Sequence, residues 1–353
     1  MAGLLPRIGS LASGARDAIT DVPGVTVGHH TLADGGVQTG VTVVRPHAGD
    51  PYRDKVPAAA AVLNGFGKSV GLVQLRELGV LETPIALTNT YSVPAVAQAQ
   101  IRQCVAANPE SGRSLPTVNP LVFECNDGFL NDIQRMAVDE AHYLQAHAGA
   151  APDFAQGAVG AGRGMSCFAL KGGIGSASRR AAGAECTVGA LVLANFGKLP
   201  QLVVAGHRVG ERLAAQASPP PAAPADGPEK GSIILLLATD AALDARQLRR
   251  LAMRAAAGLA RTGSVYGHGS GDIALAFSTA YTVPHLPQRA MPAVAMLHET
   301  RLDDLFEAAA DACEQAILHA LWRAEAVTGR DGHRRESLAD LVAGWPSLST
   351  RRA

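Results

Sequence analysis

Lys230-Gly231-Ser232-Ile233-Ile234-Leu235-Leu236-Leu237 is where the chain changes character. The residues just before it, Ser218-Pro219-Pro220-Pro221-Ala222-Ala223-Pro224-Ala225-Asp226-Gly227-Pro228, have no large apolar side chains and favour an extended, solvated backbone. The residues after it form a short continuous apolar run, as in a strand covered on both faces. A Gly-Ser step at such a junction suits a chain that cuts itself there. Glycine leaves the Gly231 carbonyl open to attack by the Ser232 hydroxyl. Cleavage then gives Ser232 a free α-amine beside its hydroxyl, a nucleophile with its own base. The same residues also describe an ordinary surface linker entering a core strand, and the dipeptide alone does not separate the two.

The 353 residues suffice for one large domain or two ordinary ones with a sizeable core. Aromatics are 4% and hydrophobics 47%, so the core must be packed with Ala, Val, Leu and Ile. Lys+Arg and Asp+Glu are both 31, which gives no global reason to expect a nucleic acid or an anionic membrane as partner. Cys104, Cys125, Cys167, Cys186 and Cys313 are an odd set without a C-x-x-C pair, which reads as reduced thiols in a cytoplasmic protein. The histidines show no metal-ligand spacing, so no metal site is expected, and the serine chemistry read at Ser232 calls for no cofactor. Met1–Arg16 lacks a sustained apolar stretch, so no secretory signal is expected, and no run is long enough to span a membrane.

Residues 1–18 read as a loose arm. Strands are expected near 25–29, 40–46, 59–65, 84–89, 120–125, 186–195, 202–205, 233–238 and 273–278. Helices are expected near 70–78, over 94–107 with Ser92 as cap, after Asn131 or Asp132, over 245–262 behind Asp244, and over 302–326. The tail past Arg330 is charged and expected at the surface. Strands alternating with helices, several of them apolar on both faces, give an α/β fold with helices covering sheets. The chain reads as a single domain, 1–353, interrupted by a flexible linker at about 214–231, because strands on both sides of the linker need partners.

Asn64-Gly65-Phe66-Gly67-Lys68-Ser69 contains G-K-S, but a P-loop needs glycine where Val62 stands. Gly173-Ile174-Gly175 lacks the third glycine of a dinucleotide fingerprint. Gly269-Ser270-Gly271-Asp272 precedes an apolar strand, and Ser270 and Asp272 share one side of an extended chain. That pair is suited to orienting a proton, and equally to a turn with Asp272 on its own backbone. Glu124 and Asn195 each end an apolar strand, where ligands sit in α/β sheets. A carboxylate there suits a substrate ammonium and an amide suits an oxyanion, although a capped turn would explain either.

Together these stretches resemble one family, the self-processing serine aminopeptidases of the DmpA-like L-aminopeptidase/D-esterase and β-peptidyl aminopeptidase type. The resemblance runs from Asp17 to about Leu341. It is carried by Ala18–Val25, Leu63–Lys68, Glu82–Thr90, Glu124–Gly128, Lys171–Gly175, Gly231–Ile234 and Gly269–Asp272. It implies a four-layer α/β/β/α sandwich, Ntn-hydrolase-like but differently connected and related to ornithine acetyltransferase. It implies cleavage between Gly231 and Ser232 into an α chain, 1–231, and a β chain, 232–353. By resemblance Ser232 is the nucleophile, Ser270 hydrogen-bonds to it and Asp272 is the acidic third member. Asn195 is the oxyanion amide and Glu124 binds the free amine of a small peptide, amide or ester substrate. The family usually assembles as tetramers. The alternatives are an acyltransferase of the ornithine acetyltransferase type, which carries threonine in place of Ser232, and a non-catalytic binding protein of the same fold.

Overall fold

The computed structural model describes residues 5–216 and 231–345, the side chain of Ala182 excepted. Most of the proline-rich linker therefore lies outside the described residues; its expected beginning, residues 214–216, belongs to a helix, Val209–Gln216.

The apolar runs explain the layers. Ser232–Thr239 is a strand with every residue buried. Ile233, Leu235 and Leu237 face a core shared with helices, while Ile234, Leu236 and Ala238 face a second core between two sheets. A strand this apolar has no solvated face to offer, and each buried Ile or Leu contributes about 1.5–3 kcal/mol relative to exposure. Ser232–Thr239 lies at the centre of a seven-stranded sheet, antiparallel to Cys186–Asn195 on one side and parallel to Gly271–Ser278 on the other. Asp54–Gly65 and Gly173–Ala181 continue this sheet outward.

A four-stranded sheet stacks on it, built from the hairpin Thr26–Asp34 and Val37–Arg45 with Ile85–Asn89 and Val122–Cys125. Helices Ala245–Arg261 and Leu302–Trp322 cover the large sheet, and Val93–Ala107 and Glu140–Ala148 cover the small one. The order is α/β/β/α. The low aromatic content has a use here, since alanines let helix and sheet approach closely. At Gly175 a β-carbon would stand 1.9 Å from the carbonyl oxygen of Ala316 on the long helix.

Several expectations need correction. The arm is not loose from residue 5 onward: Ile8 is buried, its N–H donates to Gln315 Oε1 at 2.8 Å, and its carbonyl accepts from buried Arg179. Side chains from distant elements, invisible to local periodicity, satisfy its backbone. Ser92 makes no capping bond; Asn89 Oδ1 accepts from Tyr91 and Ser92 N–H instead. The helix expected after Asn131 or Asp132 is only a turn at Ile133–Arg135, ended by Met136 at φ 46°, and Asp139 caps the real helix, Glu140–Ala148. Residues 202–205 form no strand; Leu202 and Val204 are buried on the helix side, and Val204 bridges only to His207. The tail is not wholly at the surface, because Ser337, Leu338 and Val342 are buried.

Candidate active site

The site lies at the end of the central strand, where its first residue meets both neighbours. Ser232 pairs with Asn195 on one side and Gly271 on the other. Its hydroxyl donates to Gly231 O at 2.6 Å and accepts from Gly271 N–H at 3.1 Å. Gly231 is needed for space: a β-carbon there would lie 2.6 Å from Asn195 O and 2.7 Å from Phe196 Cα.

Ser270 and Asp272 flank Gly271 and are both buried, with Ser270 Oγ donating to Asp272 Oδ1 at 2.5 Å. The hydroxyl of Ser232 is therefore held by the Gly271 backbone, and the Ser270–Ser232 hydrogen bond implied by the resemblance is not formed in the unbroken chain. Asn64 supports this turn by donating its Nδ2 to the carbonyls of Gly267 and Ser270.

Asn195 ends its strand with its amide oriented by two opposite partners. Oδ1 accepts from Ser166 N–H at 2.7 Å and Nδ2 donates to Asn126 O at 2.9 Å. An amide nitrogen carries two hydrogens, and the second has no other partner among the described residues. Glu124 comes from the other sheet. It is 3% exposed, its Oε1 accepting from Lys68 N–H at 2.8 Å and its Oε2 from the Thr90 hydroxyl. Gly67 lies between the two halves of the site; a β-carbon on it would be 3.6 Å from Glu124 Oε1 and 3.8 Å from Gly271 Cα.

The structure thus brings all five candidate side chains to one end of the sheet pair. Ser166, whose N–H fixes Asn195, carries no signal in the sequence; it sits in a two-residue strand, Ser166–Cys167, paired with Leu170–Lys171. The fully buried Lys171 ammonium caps this segment, donating to the carbonyls of Gly162, Met165 and Gly172 at 2.9, 2.9 and 2.6 Å. Burial lowers its pKa to about 7. Burial also raises Asp127, next to Asn126, to about 7, and pushes the Cys125 thiol well above its ordinary value.

The α/β/β/α sandwich is of the kind described for a variant of the Ntn hydrolase fold. The chain belongs to peptidase family S58, whose profile matches residues 17–335. It is 40% identical over 345 residues to beta-peptidyl aminopeptidase BapA of Sphingosinicella microcystinivorans, covering 92% of this chain and 86% of the relative. A solved Burkholderia sp. beta-aminopeptidase superposes with a TM-score of 0.85 at 42% identity, covering 97% of this chain and 98% of that one. The L-aminopeptidase D-Ala-esterase/amidase of Ochrobactrum anthropi, described as a prototype for the serine aminopeptidases and a new variant among the Ntn hydrolase fold, superposes with a TM-score of 0.85 at 33% identity, covering 96% and 95%. The protein is an aminopeptidase, a hydrolase acting on peptides. The acyltransferase alternative is not favoured, and no helix among the described residues is long and apolar enough to cross a membrane.

Proposed function

We propose that the chain matures by cutting itself between Gly231 and Ser232 and then removes the N-terminal residue of short peptides through an acyl-enzyme on Ser232. The observation that carries this is the position of Ser232, a buried serine at the start of a central strand, its hydroxyl held between Gly231 O and Gly271 N–H. In maturation, Ser232 Oγ attacks the Gly231 carbonyl carbon and the peptide nitrogen leaves as the α-amine of Ser232. Water then hydrolyses the resulting ester, leaving a carboxylate on Gly231. In turnover that amine, of ordinary pKa about 7.7–8, takes the hydroxyl proton as Oγ attacks the substrate carbonyl. The proton passes to the leaving amine, and water releases the acyl group.

Asn195 donates its remaining amide hydrogen to the oxyanion, a contribution of about 3 kcal/mol. The Ser270–Asp272 pair orients the Gly271 turn and its proton traffic. Glu124, pre-held by Lys68 N–H and Thr90, pairs with the substrate ammonium and restricts cleavage to the first residue. The names of the relatives make N-terminal β-aminoacyl bonds the first substrates to assay, beside α-L and D-aminoacyl amides and esters.

We further take the processed αβ unit to be one domain that assembles as a homo-oligomer, supported by the exposed Val73 and Leu78 on one short helix, and to be cytoplasmic, supported by its five free cysteines. Intact mass of the purified protein tests maturation. Two chains meeting at Gly231 and Ser232 are expected; a chain still unbroken after long incubation would refute it. Sedimentation tests the assembly, and a monomer would refute it.

A further inference from the structure

Arg335 is a cation that the proposed chemistry leaves unused. It ends the two-residue strand Arg334–Arg335, and the following residue is tied down through Lys171 N–H donating to Glu336 O at 2.8 Å. Its Nε donates to Ser166 Oγ at 3.1 Å, and the N–H of that same serine holds Asn195. Its guanidinium lies 3.6 Å from the centroid of Phe129, whose other ring contact is a stack with His333 at 4.7 Å. Phe129 in turn follows closely on Asn126, which holds the Asn195 amide nitrogen. Both supports of Arg335 therefore stand on the segments that grip the oxyanion amide.

Nearby arginines are matched with acids: Arg163 with Glu325, Arg330 with Asp331, Arg334 with Glu336. Arg335 has no carboxylate within ion-pair distance among the described residues. It is half-buried, and burial draws its pKa down to about 10, which leaves it charged at neutral pH. Holding a cation partly out of water without a counter-charge costs free energy. The guanidinium is planar and pre-oriented, with Nε spent and both Nη groups remaining, the geometry that takes a carboxylate bidentately.

We infer that Arg335 binds the C-terminal carboxylate of the substrate, so that the site selects dipeptides as zwitterions. This rests on the aminopeptidase site proposed above. Hydrogen bonds and chain connectivity run in one order, Glu124, then Asn126 and Asn195 beside Ser232, then Ser166 and Arg335. A dipeptide presents ammonium, scissile carbonyl and carboxylate in that same order, over roughly 7 Å when extended.

The test is kcat/KM of the processed enzyme for β-alanyl-alanine and L-alanyl-alanine, their C-terminal amides and their N-acetyl derivatives, in wild type, Arg335→Gln and Arg335→Lys. The free acid is expected to exceed the amide by about tenfold to a hundredfold in wild type. Arg335→Gln should bring that ratio close to one, with Arg335→Lys between. A wild-type ratio near one overturns the inference even if the variants do not fold, and so does an Arg335→Gln ratio equal to that of wild type. Failure to cleave the acid or the amide in both the β-alanyl and the L-alanyl series would instead overturn the proposed Ser232 site, and this inference with it. Cleavage of the amide with no preference for the acid would leave that reading intact and remove only the role of Arg335.

Discussion

The proposed nucleophile half and the proposed amine-binding half of the site are built in different ways. On the nucleophile side, sheet register does the positioning: Ser232 faces Asn195 and Gly271 because the three strands that carry them are hydrogen-bonded neighbours. On the amine side, Glu124 reaches the same place from the other sheet, and a loop amide from Lys68 and a hydroxyl from Thr90 hold it. The register side is built on a strand whose every residue is buried and which is paired on both edges. The amine side also stands on a buried strand, with Glu124 opposite Thr88, but its distance from Ser232 depends on how the two sheets stack. In the proposed mechanism the chemistry that tolerates little displacement falls on the first, and selection of substrate on the second.

The largest effect that would break this comparison is expected at Ser232. Ser232→Ala should remain one chain by intact mass and show no turnover; a processed Ser232→Ala chain would remove self-cleavage by this serine. Next comes Asn195→Ala, expected to lower kcat about a hundredfold with KM much less affected. A rise in KM alone would assign Asn195 to ground-state binding.

On the amine side the effect should be selective. Glu124→Gln keeps the shape of the carboxylate but not its charge. It should lower kcat/KM for free-amine substrates about tenfold or more relative to amine-blocked ones. Equal losses on both would contradict ammonium pairing.

The smallest effect concerns Asp127, next to Asn126, whose carbonyl holds Asn195. Asp127 is buried with a pKa near 7, so between about pH 4 and 7 the folded state binds a proton that the unfolded state has released. Wild-type stability should fall across that window relative to Asp127→Asn, and the difference should level off above it. Denaturant titrations from pH 4.5 to 8 check this, and parallel curves would mean that Asp127 stays ionised in the fold.

The nucleophile side was legible early. The run after Ser232 and the strand ending at Asn195 are apolar on both faces, a signal that periodicity reads directly. The helix Ala245–Arg261 was equally plain, its cap Asp244 accepting from Gln247 N–H and its apolar stripe buried. What failed were elements without a local signature. The turn at Ile133–Arg135 has helix-like spacing but is stopped by a left-handed Met136, and the N-terminal arm is held by Gln315 and Arg179 from far along the chain. Ser166 could not have been chosen, since its role rests on one backbone N–H.

Which segments must be buried, and which residue types stand at their ends, is written in the local pattern of the chain, because burial of apolar runs and capping are local matters. That pattern also determined the Gly231–Ser232 junction, because a linker without apolar side chains and a core strand cannot exchange roles. Sheet stacking alone brings Glu124 from one sheet to the same end as Ser232 from the other, and tertiary contacts alone set Gly271 N–H on the serine hydroxyl and Arg335 on Ser166, whose N–H holds Asn195. Those relations depend on sheet stacking and on single polar contacts between distant parts of the chain, which no local pattern encodes.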